Sequence, residues 1–299
     1  MKSHASLNLL LICCFGITQI HAQEEITLWP NGQKPYYKEN KLVEYEKEAW
    51  GTRCVFNITE PTLTIYKPEG INTGKAVIII PGGGYEFVAM YHEGYDLAQA
   101  LSKKGITAAV LKYRLPNPAS SNEPHMVPLS DGRKALKTLH EKASEYGIDS
   151  NQIGVLGFSA GSHLATVLSL WKSTSQNENP DFSGLIYGVT NLTIDNLSWL
   201  KKSLYHRELT PKEIEKNTLL NLITKDTPPA FMVHANDDDV CKVEETMLYA
   251  QKLFENNVLV ETHIFPIGGH GFGIGRASDG TNQWVSFFVN WLKNNHLKH

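Results

Sequence analysis

Short apolar runs rich in β-branched residues alternate with longer amphipathic stretches along this chain, and this alternation constrains the fold more than any other feature. The apolar runs predict strands at residues 63–66, 76–80, 106–113, 153–156, 185–187, 230–234 and 258–265. The amphipathic stretches predict helices at residues 94–104, 130–146, 160–171, 211–216, 244–256 and 282–294. Such alternation favours an α/β fold with a mostly parallel central sheet and helices on both faces.

Capping signals place the start of two of these helices. Ser130 and Asp131 are expected to cap the helix at 130–146, and Thr210 is expected to cap the one that starts at Pro211. The polar, irregular stretch at 189–227 predicts a small insertion over the sheet. Because no internal repeat or linker divides the chain, we expect a single domain after the N-terminal segment.

The N-terminus has the outline of a secretory signal peptide. The chain starts with a positive charge, residues 7–20 are mostly apolar, and Ala22 offers a small residue for cleavage. This apolar run is too short to span a membrane, and no second one appears. We therefore expect removal of residues 1–22 and a secreted or periplasmic protein, with lipid attachment at Cys13 or Cys14 as the weaker alternative.

Charge and cysteine content exclude several classes of protein. The formal net charge is −3 and no run of Lys and Arg is dense enough to neutralise a row of phosphates, so nucleic acid is not an expected partner. Cys54 and Cys241 would remain after cleavage, either as a disulfide or as two half-buried thiols, and one pair does not make a disulfide scaffold. No CxxC spacing occurs, and we expect neither a metal site nor a cofactor.

A G-x-S-x-G sequence, Gly157 to Gly161, lies between a predicted strand and a predicted helix. In a nucleophile elbow, the serine sits on a strained strand-to-helix turn whose neighbours must be small, and Ala160 and the two glycines meet this need. Ser159 is therefore the candidate nucleophile. The alternative is an ordinary glycine-flanked turn in which Ser159 only caps the helix.

Three consecutive glycines follow the earlier buried strand, in Pro81-Gly82-Gly83-Gly84-Tyr85. Glycines here are useful if backbone N–H groups must point at a ligand oxygen, as in the oxyanion loop of esterases. Gly83 and Gly84, with the N–H of Ala160, are the candidates for that role. A phosphate-binding loop is disfavoured because the P-loop Lys-Ser/Thr and the G-x-G-x-x-G spacing are absent. A plain flexible loop is the other alternative.

A histidine and an acid complete the predicted site. His270 stands among glycines after the last predicted strand and is the candidate base, whereas His163 is expected to lie beneath the elbow. The acid should follow the strand at 230–234, since the chain order is Ser, acid, His. Three consecutive aspartates occur there, and spacing alone does not choose among them: Asp237, Asp238 and Asp239.

These motifs occur in the order found in one known family. The matching segments are 81–85, 94–101, 112–116, 128–135, 157–165, 226–231, 234–238 and 268–273. Over about residues 75–292 the chain resembles the acetyl-xylan-esterase-like branch of the α/β-hydrolases, a group of bacterial carbohydrate esterases. The resemblance implies a single α/β-hydrolase catalytic domain at 23–299, with the insertion over the active site. It also implies Asp238 as the acid, with Asp237 in reserve, although Cys241-Lys242 stands where the family usually has Val-Pro.

The resemblance implies a secreted serine carboxylesterase that removes acetyl or other short acyl groups from carbohydrate without a cofactor. The expected partner is a small-molecule or polysaccharide acyl ester. Tyr85 is the expected substrate-binding residue, with Tyr91 and Trp199 as further aromatic candidates. Three alternatives stay open at this point: a feruloyl esterase, a prolyl-oligopeptidase-like serine peptidase and a catalytically silent sugar-binding relative.

Overall fold

The structure is a computed structural model that describes residues 23–294, so the predicted signal peptide at 1–22 lies outside the described residues. This part of the chain contains ten strands: β1 (Glu24–Thr27), β2 (Tyr45–Ala49), β3 (Thr52–Phe56), β4 (Thr62–Tyr66), β5 (Ala76–Ile80), β6 (Thr107–Lys112), β7 (Ile153–Phe158), β8 (Ser183–Ile186), β9 (Ala230–Ala235) and β10 (Val260–Phe265). Eight of them form one sheet in the order β1-β4-β6-β5-β7-β8-β9-β10, and β2 and β3 pair separately as a hairpin.

The sheet is parallel from β6 to β10, whereas β4 pairs antiparallel with both β1 and β6. All seven predicted strands are present, and the mostly parallel α/β fold is confirmed. The strands β1, β2 and β3 were not predicted. The side chains of β5, β7 and β9 are buried throughout, which is why these strands appear in the sequence as continuous apolar runs.

The helices are α1 (Asp96–Ser102), α2 (Val127–Glu141), α3 (Ala143–Tyr146), α4 (Ala160–Leu170), α5 (Ile194–Leu200), α6 (Pro211–Asn217), α7 (Glu244–Glu255) and α8 (Trp284–Lys293). Two π-helical turns, Met90–Tyr95 and Lys201–Tyr205, precede α1 and follow α5. The predicted cap of α6 is confirmed, because the Thr210 side chain accepts from the N–H of Glu213 and Glu213 reaches back to Thr210.

The predicted cap at Ser130 and Asp131 is wrong. The helix begins at Val127, so both residues lie inside α2. Asp131 is fully buried and accepts hydrogen bonds from the Arg114 guanidinium at 2.7 Å and from the Trp29 indole at 2.8 Å. Its carboxylate therefore ties α2 to the end of β6 and to the N-terminal segment.

The two edges of the parallel sheet carry different kinds of connection. The carboxyl ends of the strands lead into the glycine loop after β5, the turn after β7 and the loops after β9 and β10. Turns without catalytic residues lead into the amino ends of the strands. Ile71, which precedes β5 at this edge of the sheet, is 90% exposed. The insertion contains α5 and α6, and the indole of Trp199 on α5 donates to the carbonyl of Gly84, which brings the insertion against the glycine loop.

No helix within residues 23–294 combines the length and apolar character that crossing a membrane requires. Cys54 and Cys241 are free thiols in this structure, and both are buried.

Candidate active site

Ser159 occupies a strained turn between β7 and α4. Its backbone has φ 50° and ψ −119°, a combination that side-chain-bearing residues rarely adopt. The turn fits only because glycines stand two residues before and two residues after Ser159. A Cβ on Gly157 would lie 2.1 Å from the carbonyl oxygen of Gly161, and one on Gly161 would lie 2.0 Å from the carbonyl oxygen of Ile80. The close approach of β5, β7 and α4 thus explains the G-x-S-x-G pattern.

Three side chains from separate loops form a hydrogen-bonded chain at this turn. Ser159 Oγ lies 2.9 Å from His270 Nε2, and His270 Nδ1 lies 2.8 Å from Asp238 Oδ2. Because a carboxylate only accepts, Nδ1 carries the hydrogen and Nε2 is left to accept from the serine hydroxyl. The structure therefore brings together the serine, the histidine and the acid that the sequence and its family resemblance singled out.

Asp238 is buried and has partners for both carboxylate oxygens. Oδ1 accepts from the N–H groups of Val240 and Cys241, each at 2.9 Å. Oδ2 lies 3.2 Å from His234 Nε2 in addition to its bond to His270. Burial acts to raise the pKa of Asp238, but the hydrogen bonds from His234 and His270 hold it well below its usual range. Cys241, which departs from the family pattern, still supplies a backbone donor to this acid.

Asp237, the reserve candidate, has a different set of partners. Its Oδ1 accepts from the N–H of Gly268 at 2.8 Å and from the N–H of Gly269 at 2.7 Å. It therefore fixes the start of the loop that carries His270 rather than the imidazole itself. Of the two adjacent carboxylates after β9, Asp237 thus holds the backbone of the histidine loop and Asp238 holds the imidazole of His270.

The glycine loop leaves several N–H groups available beside Ser159. Gly83 and Gly84 have φ of 127° and 63°, values that favour glycine, and a Cβ on Gly83 would collide with the Phe87 carbonyl. No residue in the range 23–294 accepts a hydrogen bond from the N–H of Gly83 or Gly84. Ala160, the first residue of α4, has an N–H that lies outside the intrahelical pattern. These donors line the cavity that also contains Ser159.

Glu93, which was not among the predicted site residues, links this loop to the histidine loop. Only 3% of Glu93 is exposed. Its Oε2 accepts from the N–H of Gly82 at 2.6 Å, and its Oε1 accepts from the hydroxyl of Tyr187 at 2.8 Å. The same hydroxyl accepts from the N–H of Gly273 at 3.0 Å, and the Tyr187 ring contacts His270 edge-on. An acid within the largely apolar run at 87–95 was the one available signal in the sequence.

Tyr85, the expected substrate-binding residue, does not line the cavity that contains Ser159, and only 2% of it is exposed. Its hydroxyl lies 2.9 Å from His163 Nδ1, and its ring stacks on Trp199 with centroids 5.5 Å apart. His163 lies beneath the elbow as predicted, and burial lowers its pKa to about 4. Tyr91 does not line the cavity either, and its hydroxyl donates to Glu46.

A cavity of about 430 Å³ opens at Ser159, a volume within the range of small-molecule sites. Its lining comes from the glycine loop, the β2–β3 hairpin, the insertion, the acid loop and the histidine loop. Trp199 lines it, as the sequence suggested, and so does Trp50 on the hairpin, which the sequence did not single out. Within residues 23–294 no group of three or more His, Cys, Asp or Glu side chains is placed to hold a metal ion.

A parallel sheet with a serine on the turn after its central strand and a histidine after its last strand is the architecture of the α/β-hydrolases. The family model described as BD-FAE matches residues 63–253, and the chain belongs to that family. A solved structure, the acetyl ester-xyloside bifunctional hydrolase from Caldicellulosiruptor lactoaceticus, is similar with a TM-score of 0.74 and 30% identity, covering 95% of this chain and 100% of the other.

Two curated relatives are similar over most of this chain. The acetylxylan esterase of Xylanibacter ruminicola is 31% identical over 241 residues, which cover 77% of this chain and 48% of the relative. The endo-1,4-beta-xylanase B of Butyrivibrio fibrisolvens is 29% identical over 240 residues, which cover 77% of this chain and 36% of the relative. The match thus spans less than half the length of each of these relatives.

Proposed function

We propose that this protein is a serine carboxylesterase that removes acetyl or other short acyl groups from carbohydrate. The observation that carries the proposal is the hydrogen-bonded chain from Ser159 through His270 to Asp238 at the base of an open cavity. A nucleophile, a base and an orienting acid in this order are the elements that acyl transfer to water requires.

In the proposed first step, Ser159 Oγ attacks the ester carbonyl while His270 Nε2 takes its proton. The proton then passes from Nε2 to the oxygen of the leaving sugar hydroxyl as the carbon–oxygen bond breaks. Asp238 keeps Nδ1–H directed away from the serine and stabilises the imidazolium that forms. The strained backbone of Ser159 holds Oγ above the sheet, so this alignment is set before substrate arrives.

The free N–H groups of Gly83, Gly84 and Ala160 are proposed to bind the oxyanion of the tetrahedral intermediate. Removing one donor of this kind costs roughly 3 kcal/mol of transition-state stabilisation in a comparable enzyme. In the second step a water molecule, activated by His270, attacks the acyl-enzyme and releases the carboxylic acid. The group that begins and ends the cycle is the same Ser159 hydroxyl.

The proposed substrate class draws on the relatives. One curated relative is an acetylxylan esterase, and one similar solved structure is an acetyl ester-xyloside bifunctional hydrolase. Acetylated xylan or its oligosaccharides are therefore the substrates to test first. The predicted signal peptide at residues 1–22 supports export, which would place the enzyme where such polysaccharides occur, in the periplasm or outside the cell.

The test uses the mature chain, residues 23–299, with p-nitrophenyl acetate, methyl ferulate, acetylated xylan and a dipeptide p-nitroanilide. We expect acetate release from the first and third, and its loss in Ser159→Ala. Ser144→Ala, at an exposed serine on α3, is the matched control and should retain full activity. Release that Ser159→Ala leaves unchanged, or no release at all, would contradict the proposal. Preference for ferulate or for the peptide would reassign the acyl group or the reaction.

A further inference from the structure

Trp50 lines the cavity but has no role in the proposed mechanism. The residue is 75% exposed and lies on the cavity wall that is formed by the β2–β3 hairpin. Within residues 23–294 no aromatic ring stacks on its indole, and no acceptor receives its N–H. A large aromatic surface is therefore open to any molecule that enters the cavity. Single exposed hydrophobic residues are common on protein surfaces, but they do not usually border a cavity.

The backbone turn that carries Trp50 does not require a tryptophan. Ala49 pairs with Thr52 across the hairpin, so Trp50 and Gly51 form a two-residue loop. Their φ values are 54° and 73°, and positive φ at both positions defines the turn that most favours Asn-Gly. A bulky residue at the first position is strained. Neither the backbone nor the core accounts for this tryptophan, and strained residues of this kind cluster at binding sites.

The rest of the cavity indicates what the indole could bind. Trp199 presents a second indole from α5, and Asp195 and Asn196 on the same helix line the cavity with polar groups. Flat aromatic faces bordered by hydrogen-bonding side chains suit a pyranose ring, which has apolar C–H faces and a rim of hydroxyls. A long fatty acyl chain would instead be matched by a lining without charged groups.

We propose that Trp50 forms a sugar-binding subsite and stacks on a pyranose ring of the carbohydrate ester whose acyl group reaches Ser159. The inference rests on the proposed function and extends it, because it assigns the recognition of the sugar to the hairpin rather than to the glycine loop. The hairpin at 45–56 lies outside the 63–253 match to the family model.

The key variant is Trp50→Asn, because asparagine suits the turn and removes only the ring. We expect KM for an acetylated xylo-oligosaccharide to rise about three- to tenfold, the range that aromatic stacking supplies. Activity on p-nitrophenyl acetate, which has no sugar, should stay within about twofold, and the midpoint of thermal unfolding should not fall. Trp50→Tyr should restore most of the affinity. Phe254→Ala, at a 77% exposed aromatic on α7, is the control.

A binding measurement separates the subsite from the chemistry. In the Ser159→Ala background, calorimetry with the acetylated xylo-oligosaccharide should give a weaker Kd for Trp50→Asn by the same factor. Unchanged KM and Kd would overturn the subsite while leaving the esterase proposal intact. Equal losses on both esters would also overturn it, since the hairpin would then support the catalytic residues. If the wild-type protein hydrolyses neither ester, the esterase proposal fails, and the binding measurement still decides on the subsite.

Discussion

Glu93→Gln tests whether the two loops around the nucleophile are held by one carboxylate. Glu93 accepts from a backbone N–H of the glycine loop through one oxygen and from the Tyr187 hydroxyl through the other. Glutamine has nearly the same shape but only one acceptor oxygen. If that oxygen stays on Gly82, the amide nitrogen faces Tyr187, and the hydroxyl loses the acceptor for its hydrogen.

The magnitude follows from these two contacts. A hydrogen bond to a charged group contributes about 1.5–3 kcal/mol, so Glu93→Gln should lower the free energy of unfolding by roughly 2 kcal/mol. Glu93→Ala leaves two buried donors without partners and should cost about 2–6 kcal/mol. A displaced oxyanion donor lowers kcat by up to about 10²–10³, and we expect a partial displacement in Glu93→Gln to lower kcat at least tenfold.

The assay measures kcat and KM separately on p-nitrophenyl acetate, with denaturant unfolding on the same samples. A positioning role predicts a fall in kcat with KM within about twofold, since both Glu93 oxygens already accept from groups of the protein. Tyr187→Phe removes the hydroxyl that joins Glu93 to Gly273 while Gly82 keeps its partner. Because both changes break one network, the double variant should lose less than the two single variants predict together, by about 0.5–3 kcal/mol.

Two results would refute this reasoning. If Glu93→Gln unfolds more easily but keeps its kcat, the carboxylate only stabilises the fold. If the losses of Glu93→Gln and Tyr187→Phe are additive in kcat, then the glycine loop and the histidine loop are held independently.

Three further predictions concern single positions. Asp238→Asn should lower kcat by about 10⁴ through loss of the histidine tautomer, and Asp237→Asn by less than tenfold; similar losses in steady-state kinetics would contradict the division between them. Burial lowers the pKa of His163 from 6.5 to about 4. The stability that this neutral histidine contributes is therefore complete above pH 6.5 and falls by about 3 kcal/mol as the pH drops toward 4. His163→Gln should show a smaller loss when the free energy of unfolding in denaturant is compared at pH 7 and pH 4.5. Gly161→Ala should abolish folding because its Cβ meets a β5 carbonyl at 2.0 Å, whereas Gly70→Ala, in open space with φ 75°, should cost only about 1–2 kcal/mol in the same measurement.

The fold and the nucleophile could be predicted because they depend on local sequence. A strand buried on both faces is an unbroken apolar run, as in residues 76–80, and a strained turn against two backbones needs the glycines around Ser159. The acid was harder, because three adjacent aspartates differ only in where a short turn after β9 points them. That turn directs Asp238 toward His270 and Asp237 toward the backbone of Gly268.

The missed features depend on partners that are distant in sequence. Glu93 accepts from Tyr187, 94 residues away, and Asp131, which lies inside α2, accepts from Trp29, 102 residues away. The hairpin at 45–56 was not predicted because the residues of β2 are almost all exposed and show no apolar alternation. Tyr85 itself has φ 64°, a value that its residue type does not predict, and its ring lies inward on Trp199.

The two unlike edges of the sheet have a practical consequence for attaching this protein to a support. The loops that carry the nucleophile, the acid, the histidine and the oxyanion donors leave from the carboxyl edge, whereas Ile71 lies at the amino edge and is 90% exposed. Cys54 and Cys241 are buried, and burial raises the pKa of both thiols, that of Cys54 to about 11. A thiol introduced by Ile71→Cys would therefore be the readily alkylated cysteine within residues 23–294. A surface linked through it would face away from the cavity and leave a polymeric substrate free to enter.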